Sequence, residues 1–237
     1  MIKISPSIMC ANLRNLKNDI QILSDSKVDL FHFDIMDGHF VPNLALSPMI
    51  VESLRGISSV PFDIHLMVER PANFIDRFLK IGVEYITVHI ETASGDMYRI
   101  YERLKESNVG LGIALNPLTN LKALIYIGKY VSKITVMTVD PGFIGQNFIN
   151  SMILKVEKLK MMREEHGFNF EIEVDGHINP GNFKNVIKAG ADILVLGTSG
   201  LFGLKPNLKE GILEVRKLIS NILQNSSGSG INKSDLS

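Results

Sequence analysis

The feature that most constrains this chain is a regular alternation of strand-like and helix-like stretches along most of its length. Short apolar or β-branched runs occur at residues 2–9, 29–36, 62–67, 85–90, 110–116, 133–140, 170–176 and 192–197. Between them, apolar residues recur at helical spacing, as Leu13, Leu16, Ile20 and Leu23 do. Asn12 is placed to cap that first helix, which the spacing carries to about Ser26. Further helices are predicted over about 48–56 with Pro48 in the first turn, from Pro71 to Gly82, from the fourth strand to about Ser107, and over about 119–129, 150–165, 180–189 and 207–223. Strands that alternate with helices pair in parallel through right-handed crossovers. Eight such units fit a single α/β domain over residues 1–223, a closed (β/α)8 TIM barrel. The rival, an open doubly wound sheet, usually carries G-x-G-x-x-G after its first strand, and Pro6-Ser7 stands there instead. Residues 224–237 include the Ser/Gly-rich text NSSGSGINKSDLS and are expected to be disordered.

Composition excludes several classes of partner. Among 237 residues, 25 basic and 25 acidic side chains balance, so no electrostatic footprint for nucleic acid or an anionic membrane is expected. No run of eighteen apolar residues exists, and no membrane span is expected. The single Cys10 excludes an internal disulfide and fits a reducing cytoplasm. The first residues read directly as a strand, without a charged and then apolar leader.

A parallel barrel brings the C-terminal ends of all its strands to one face, where active sites are built. Polar residues gather at those ends here. HFDIMDGHFVPN (32–43) ends the second strand, with His32, Asp34 and Met36 on one face and Phe31, Phe33 and Ile35 on the other. By itself this pattern also describes a buried, hydrogen-bonded His–Asp pair. The first strand adds Ser7, the third adds His65 with Asp63 a layer deeper, and the seventh adds Asp175. Two imidazoles and two carboxylates make a donor set suited to one divalent ion such as Zn²⁺, Mn²⁺, Co²⁺ or Fe²⁺. Asp63 reads as a residue that orients a ligand. His89 ends the fourth strand without an evident partner and reads as a core histidine; His39, His166 and His177 read as loop or helix-end residues, with His177 close enough to Asp175 to face a substrate. Met36, Met67 and Met137 lie near strand ends, where they would wall the site and keep it dry. PGFIGQ (141–146) after strand six, DGHIN (175–179) before a helix and GTSG (197–200) after strand eight suggest an anion site. The last two are adjacent loops of the kind that grip phosphate in such barrels, with Gly197, Thr198 and Ser199 offering backbone N–H groups and two hydroxyls.

SPSIM (5–9), HFDIMDGHFVPN (32–43), DIHLMV (63–68), NPLT (116–119), MTVDPGFIGQNF (137–148), EVDG (173–176) and GTSGLF (197–202) together resemble the ribulose-phosphate 3-epimerase family over residues 2–222. The resemblance implies a metal held by His32, Asp34, His65 and Asp175, an acid/base pair of Asp34 and Asp175, and a homo-oligomer. It also implies ketose-phosphate contacts from Ser7, His65, Gly142, Phe143, Ile144, Gly145, Gly176, His177 and Gly197 to Ser199. Several positions depart from the pentose-phosphate pattern: Ser47-Pro48 replaces Gly-Pro, His177 replaces the second Gly of Asp-Gly-Gly, Gly197-Thr198-Ser199 replaces Gly-Ser-Ala, and no further His follows His89-Ile90-Glu91. SPSIMC, FVPNLALSP and GTSGLF resemble the D-allulose-6-phosphate 3-epimerase branch, so D-allulose 6-phosphate is the expected substrate and D-ribulose 5-phosphate the alternative. Decarboxylase relatives of such barrels carry Asp-x-Lys-x-x-Asp at a strand end; DIMDGH has Met36 in place of the Lys. A non-catalytic sugar-phosphate sensor would not need both acids and all four ligands.

Overall fold

The structure, a computed structural model, describes residues 1–227. The strands are β1 (Lys3–Pro6), β2 (Phe31–Met36), β3 (Phe62–Met67), β4 (Tyr85–His89), β5 (Gly110–Leu115), β6 (Lys133–Met137), β7 (Glu171–Asp175) and β8 (Ile193–Leu196). Around them lie α1 (Leu16–Asp25), α2 (Pro48–Arg55), α3 (Ala72–Ile81), α4 (Ile90–Ala93), α5 (Met97–Glu106), α6 (Leu124–Ile127), α7 (Met152–His166), α8 (Phe183–Ala189) and α9 (Leu208–Ser227). The strands pair in parallel in the order β1-β8-β7-β6-β5-β4-β3-β2. A bridge between Ser7 and His32 brings the first and last of these together. The Ile4 N–H donates to Asp29 Oδ2 at 2.8 Å, and the Asp29 N–H donates to the Ile4 carbonyl at 3.0 Å. The expected TIM barrel is therefore the observed fold. No helix among the described residues is long and apolar enough to cross a membrane.

Every residue of β2 and β3 is buried. Phe31, Phe33 and Ile35 join the apolar layer beneath the helices, whereas alternate residues fill the barrel. Several helix limits differ from expectation for local reasons. Asn12 does not cap α1: its Oδ1 accepts from the Arg14 N–H at 3.2 Å and its N–H donates to Asp19, so a turn precedes a cap at Asn15. The stretch 119–129 divides into a 3-10 turn capped by Asn120, the short α6 and a second 3-10 turn. Gly128 lies there so close to Phe168 that a Cβ would come within 2.7 Å of the ring. At the C-terminus, residues 224–227 continue α9 and correct the expectation of a disordered tail from 224; the remainder of that tail lies outside the described residues.

The barrel interior below the strand ends is charged. The Lys133 ammonium donates to Asp63 and, at 2.7 Å, to Glu173, and all three side chains are at most 1% exposed. Thr87 donates to Asp63 at 3.0 Å and Thr135 to Glu173 at 2.8 Å. Burial opposes the ionisation of Asp63, but Lys133 and His32 together outweigh it and hold the carboxyl well below its ordinary range. Lys133→Met removes the only full positive charge in this group and strands the carboxylates in the core. It should lower the unfolding free energy by about 3–5 kcal/mol in urea titration. Asp63, held low in the fold, contributes stability above its ordinary value of 3.8 that is lost as pH falls. The variant should therefore lose less stability on acidification than the parent does.

Candidate metal and substrate site

Register assembles the site. β2 and β3 pair Asp34 with His65 and Met36 with Met67, while β6 and β7 pair Met137 with Asp175. One ligand atom from each of His32, Asp34, His65 and Asp175 lies within 4.8 Å of the others. His32 Nε2 and His65 Nδ1 are 3.2 Å apart. Asp34 Oδ1 stands 3.4 Å from the former and 3.5 Å from the latter, and Asp175 Oδ2 stands 3.7 and 3.6 Å from them. A tetrahedral ion with bonds of about 2.1 Å has ligands roughly 3.4 Å apart, so the donors fit one divalent transition ion in both type and spacing.

Two of the donors, His32 and Asp34 on β2, are oriented from behind. His32 Nδ1 is 2.9 Å from Asp63, the carboxylate held by Lys133. Ser7 donates to Asp34 Oδ2 at 2.6 Å and leaves Oδ1 to the cluster. Burial disfavours charge on both imidazoles, but Asp34 lifts His32 well above its ordinary value, and Asp175 with Asp34 lifts His65. For Asp34 burial is again the opposing influence, and His32 and His65 together overcome it to hold the carboxyl far below the usual carboxylate range.

Above the cluster opens a cavity of about 330 Å³. Ser7, Asp34, Asp175 and the three predicted methionines, Met36, Met67 and Met137, line it. So do Gly142, Phe143, Ile144, Gly145, Gly176, His177, Gly197, Thr198 and Ser199. His65, expected at the substrate as well as at the metal, is fully buried and does not line this cavity; nor does His32. Thr198 to Phe202 form a single π-helical turn at the rim. Phe143 and Ile144 are about half exposed, and the Asn43 amide donates to the Gly142 carbonyl at 2.7 Å. Cys10, which carried no expectation at the site, also lines the cavity; burial pushes its thiol up.

His89 corrects the sequence reading, for it has a partner on each side. Its Nε2 is 2.9 Å from His65 Nε2, and its Nδ1 is 3.3 Å from Glu91. Burial pushes His89 down to about 4, which leaves a neutral ring. Hydrogen bonds from His89, Thr119 and the Asn116 N–H hold Glu91 down to about 2 against burial. The His-x-Glu text at the end of β4 was the available signal, but it does not say which way the His points. His39 and His166 stay outside the cluster: His39 bonds to Asp37 and His166 stacks on Phe168.

Residues 3–202 match the model of the ribulose-phosphate 3 epimerase family. The chain belongs to this family. The ribulose-phosphate 3-epimerase of Bacillus subtilis is 40% identical over 217 residues, covering 91% of this chain and 99% of its own. That of Methanocaldococcus jannaschii is 41% identical over 92% of this chain and 91% of its own. The chloroplastic ribulose-5-phosphate-3-epimerase of Arabidopsis thaliana is 40% identical over 86% of this chain and 73% of its own. Among solved structures, KGPDC from Streptococcus mutans superposes with a TM-score of 0.71 at 12% identity, covering 94% and 99% of the two chains, and bears on the fold alone. The protein is thus an epimerase, an isomerase acting on carbohydrates.

One residue lining the cavity of the epimerase sits under backbone strain. His177 adopts φ +52°, the left-handed region, next to Gly176 at +117°. A non-Gly residue in this region costs about 1–2 kcal/mol. His177→Gly should therefore leave the unfolding free energy unchanged or higher in urea titration, whereas β-branched His177→Val should lower it by more than about 1 kcal/mol. A loss with Gly equal to that with Val would contradict this account.

Proposed function

We propose that the epimerase inverts C3 of a ketose phosphate and that its preferred pair is D-ribulose 5-phosphate and D-xylulose 5-phosphate. The observation that carries the proposal is the placement of Asp34 and Asp175, on β2 and β7, both lining one cavity and both facing the His32–His65 pair. The pentose choice is supported by relatives named ribulose-phosphate 3-epimerase at about 40% identity in bacteria and an archaeon. D-allulose 6-phosphate, the substrate expected from sequence, becomes the second reading. Thr198, Ser199, Ser47 and His177 favour it where they depart from the pentose pattern.

In this reading His32, Asp34, His65 and Asp175 hold one divalent ion: zinc, manganese, cobalt or iron. When bound, such an ion supplies Lewis-acid stabilisation to negative charge growing on substrate oxygen. The C3–H bond lies α to the C2 ketone. One carboxylate takes that proton, and the bonding electrons spread onto the C2 oxygen as an enediolate. The other carboxyl group then gives a proton to C3 from the opposite face, and the roles exchange in the reverse direction. The Ser7 hydroxyl keeps Asp34 turned toward the cavity. Met36, Met67 and Met137 surround the reacting carbon with apolar surface and strengthen the local electrostatics. Backbone N–H groups of Gly197, Thr198 and Ser199, with the Gly176–His177 turn, grip the phosphate, so its binding energy orients C3. The Gly142–Gly145 loop covers the sugar. A cytoplasmic homo-oligomer belongs to the same proposal, on the family resemblance and the lone Cys10.

Substrate choice is tested by comparing kcat/KM on D-ribulose 5-phosphate and D-allulose 6-phosphate. A pentose preference of at least about tenfold, worth about 1.4 kcal/mol, is expected; the opposite preference would establish the hexose reading. The two-base chemistry is tested in D₂O. Product from the parent enzyme should carry solvent deuterium at C3. Asp175→Asn with its ion retained should exchange the C3 proton of one epimer slowly without inverting it, and Asp34→Asn should show the mirror preference. Equal exchange of both epimers in either ion-loaded variant would mean that a single base serves both faces.

A further inference from the structure

His89 and Glu91 contribute no donor to the cluster, yet an unbroken line of polar atoms joins them to it. His65 turns Nδ1 inward, and its Nε2 lies 2.9 Å from His89 Nε2. His89 Nδ1 lies 3.3 Å from Glu91 Oε2. The other Glu91 oxygen accepts from the Asn116 N–H at 2.9 Å and from the Thr119 hydroxyl. The His89 ring is fully buried, with Phe40 packed on it at 4.6 Å between centroids.

Proton positions along this line are not independent. A ring nitrogen that gives its lone pair to an ion carries no proton, so His65 must carry its own on Nε2. His89 Nε2 must then accept, which leaves the His89 proton on Nδ1. Only an acceptor satisfies that proton, and Glu91 is the acceptor present. We infer that Glu91 is a positioning residue: acting through His89, it fixes His65 as the Nδ1 donor and so sets the affinity of the site for its ion. The inference rests on the proposed ion site. It gives His65 the same kind of support that Asp63 gives His32, delivered through one intervening ring. It also assigns a role to the NPLT loop: the Asn116 N–H can only donate, so it holds one oxygen of residue 91 toward itself.

Glu91→Gln reads the direction of the line. The Asn116 N–H retains the amide oxygen, so the NH₂ faces His89 Nδ1 and demands an acceptor there. The His89 proton then moves to Nε2, against the Nε2 proton of His65. Zn²⁺ affinity of the full chain, measured by competition with a chromogenic chelator, should fall about 10- to 100-fold. Thr119→Val removes a Glu91 contact without reversing the line and should leave the affinity within about twofold, on the same comparison. Long-range ¹H–¹⁵N spectra of the imidazoles should show the His89 proton on Nδ1 in the zinc-loaded parent and on Nε2 in Glu91→Gln. Parent-like affinity in Glu91→Gln would overturn the inference, as would an equal loss in Thr119→Val. An Nε2 proton on His89 in the zinc-loaded parent would overturn it too, and that measurement decides even if the variant does not fold. His65→Ala separates the two levels. If the parent binds no zinc, or His65→Ala binds it equally well, the ion site itself falls and the inference with it. If His65→Ala loses zinc while Glu91→Gln does not, only the role of Glu91 falls.

Discussion

The ammonium of Lys133, buried between Asp63 and Glu173, is the interaction on which the rest of the site depends. A barrel that brings polar side chains to its axis must balance their charge, because a lone carboxylate in that interior would take up a proton. With Lys133 present, Asp63 stays ionised and meets His32 Nδ1, which leaves His32 Nε2 turned toward the donor cluster. The backbone makes room for this arrangement at Gly112, which is paired with Lys133 in the sheet; a Cβ there would come within 2.2 Å of the Thr87 hydroxyl, which donates to Asp63.

The site is therefore built in tiers. The lowest tier is ionic and closed. The middle tier holds the four donors, of which His32, Asp34 and His65 are steadied by neighbours outside the cluster. The top tier is a cavity with methionines at its wall and glycine-rich turns at its rim. Positive φ angles concentrate in that rim, at Gly142, Gly145, Gly176 and His177. Backbone amides there can approach an anion closely because the turns leave them free of strand pairing.

Much of this was legible in sequence, for a physical reason. Side chains alternate along a strand, so His32-Phe33-Asp34 and Asp63-Ile64-His65 place their polar members on one side without any knowledge of the partner strand. Parallel pairing then brings all strand ends together. Lys133 was not legible as an interior residue: it opens a strand, where a lysine is ordinarily exposed, and only the register beside Gly112 turns it inward. His89 was recognised as buried, but its partners depend on how far β4 sits from β3, which no local pattern encodes. The start of α1 and the broken stretch around α6 were missed because side-chain turns at Asn12 and Asn120 compete with helix formation.

The two imidazoles of the cluster present different nitrogens, Nε2 from His32 and Nδ1 from His65. Register sets His32 beside Asp63, two residues deeper than His65. Two residues of strand amount to about 6.6 Å. The deeper ring therefore reaches upward with the nitrogen farther from its backbone, and the nearer ring turns in with the closer one. Imidazole acts here as a spacer of two lengths, and the choice of length is the means by which two layers of a barrel aim at a single point. A carboxylate or thiolate at either position would offer one reach only. The site is thus tied to this offset between β2 and β3, and a slip of register would leave the same four side chains with no common focus.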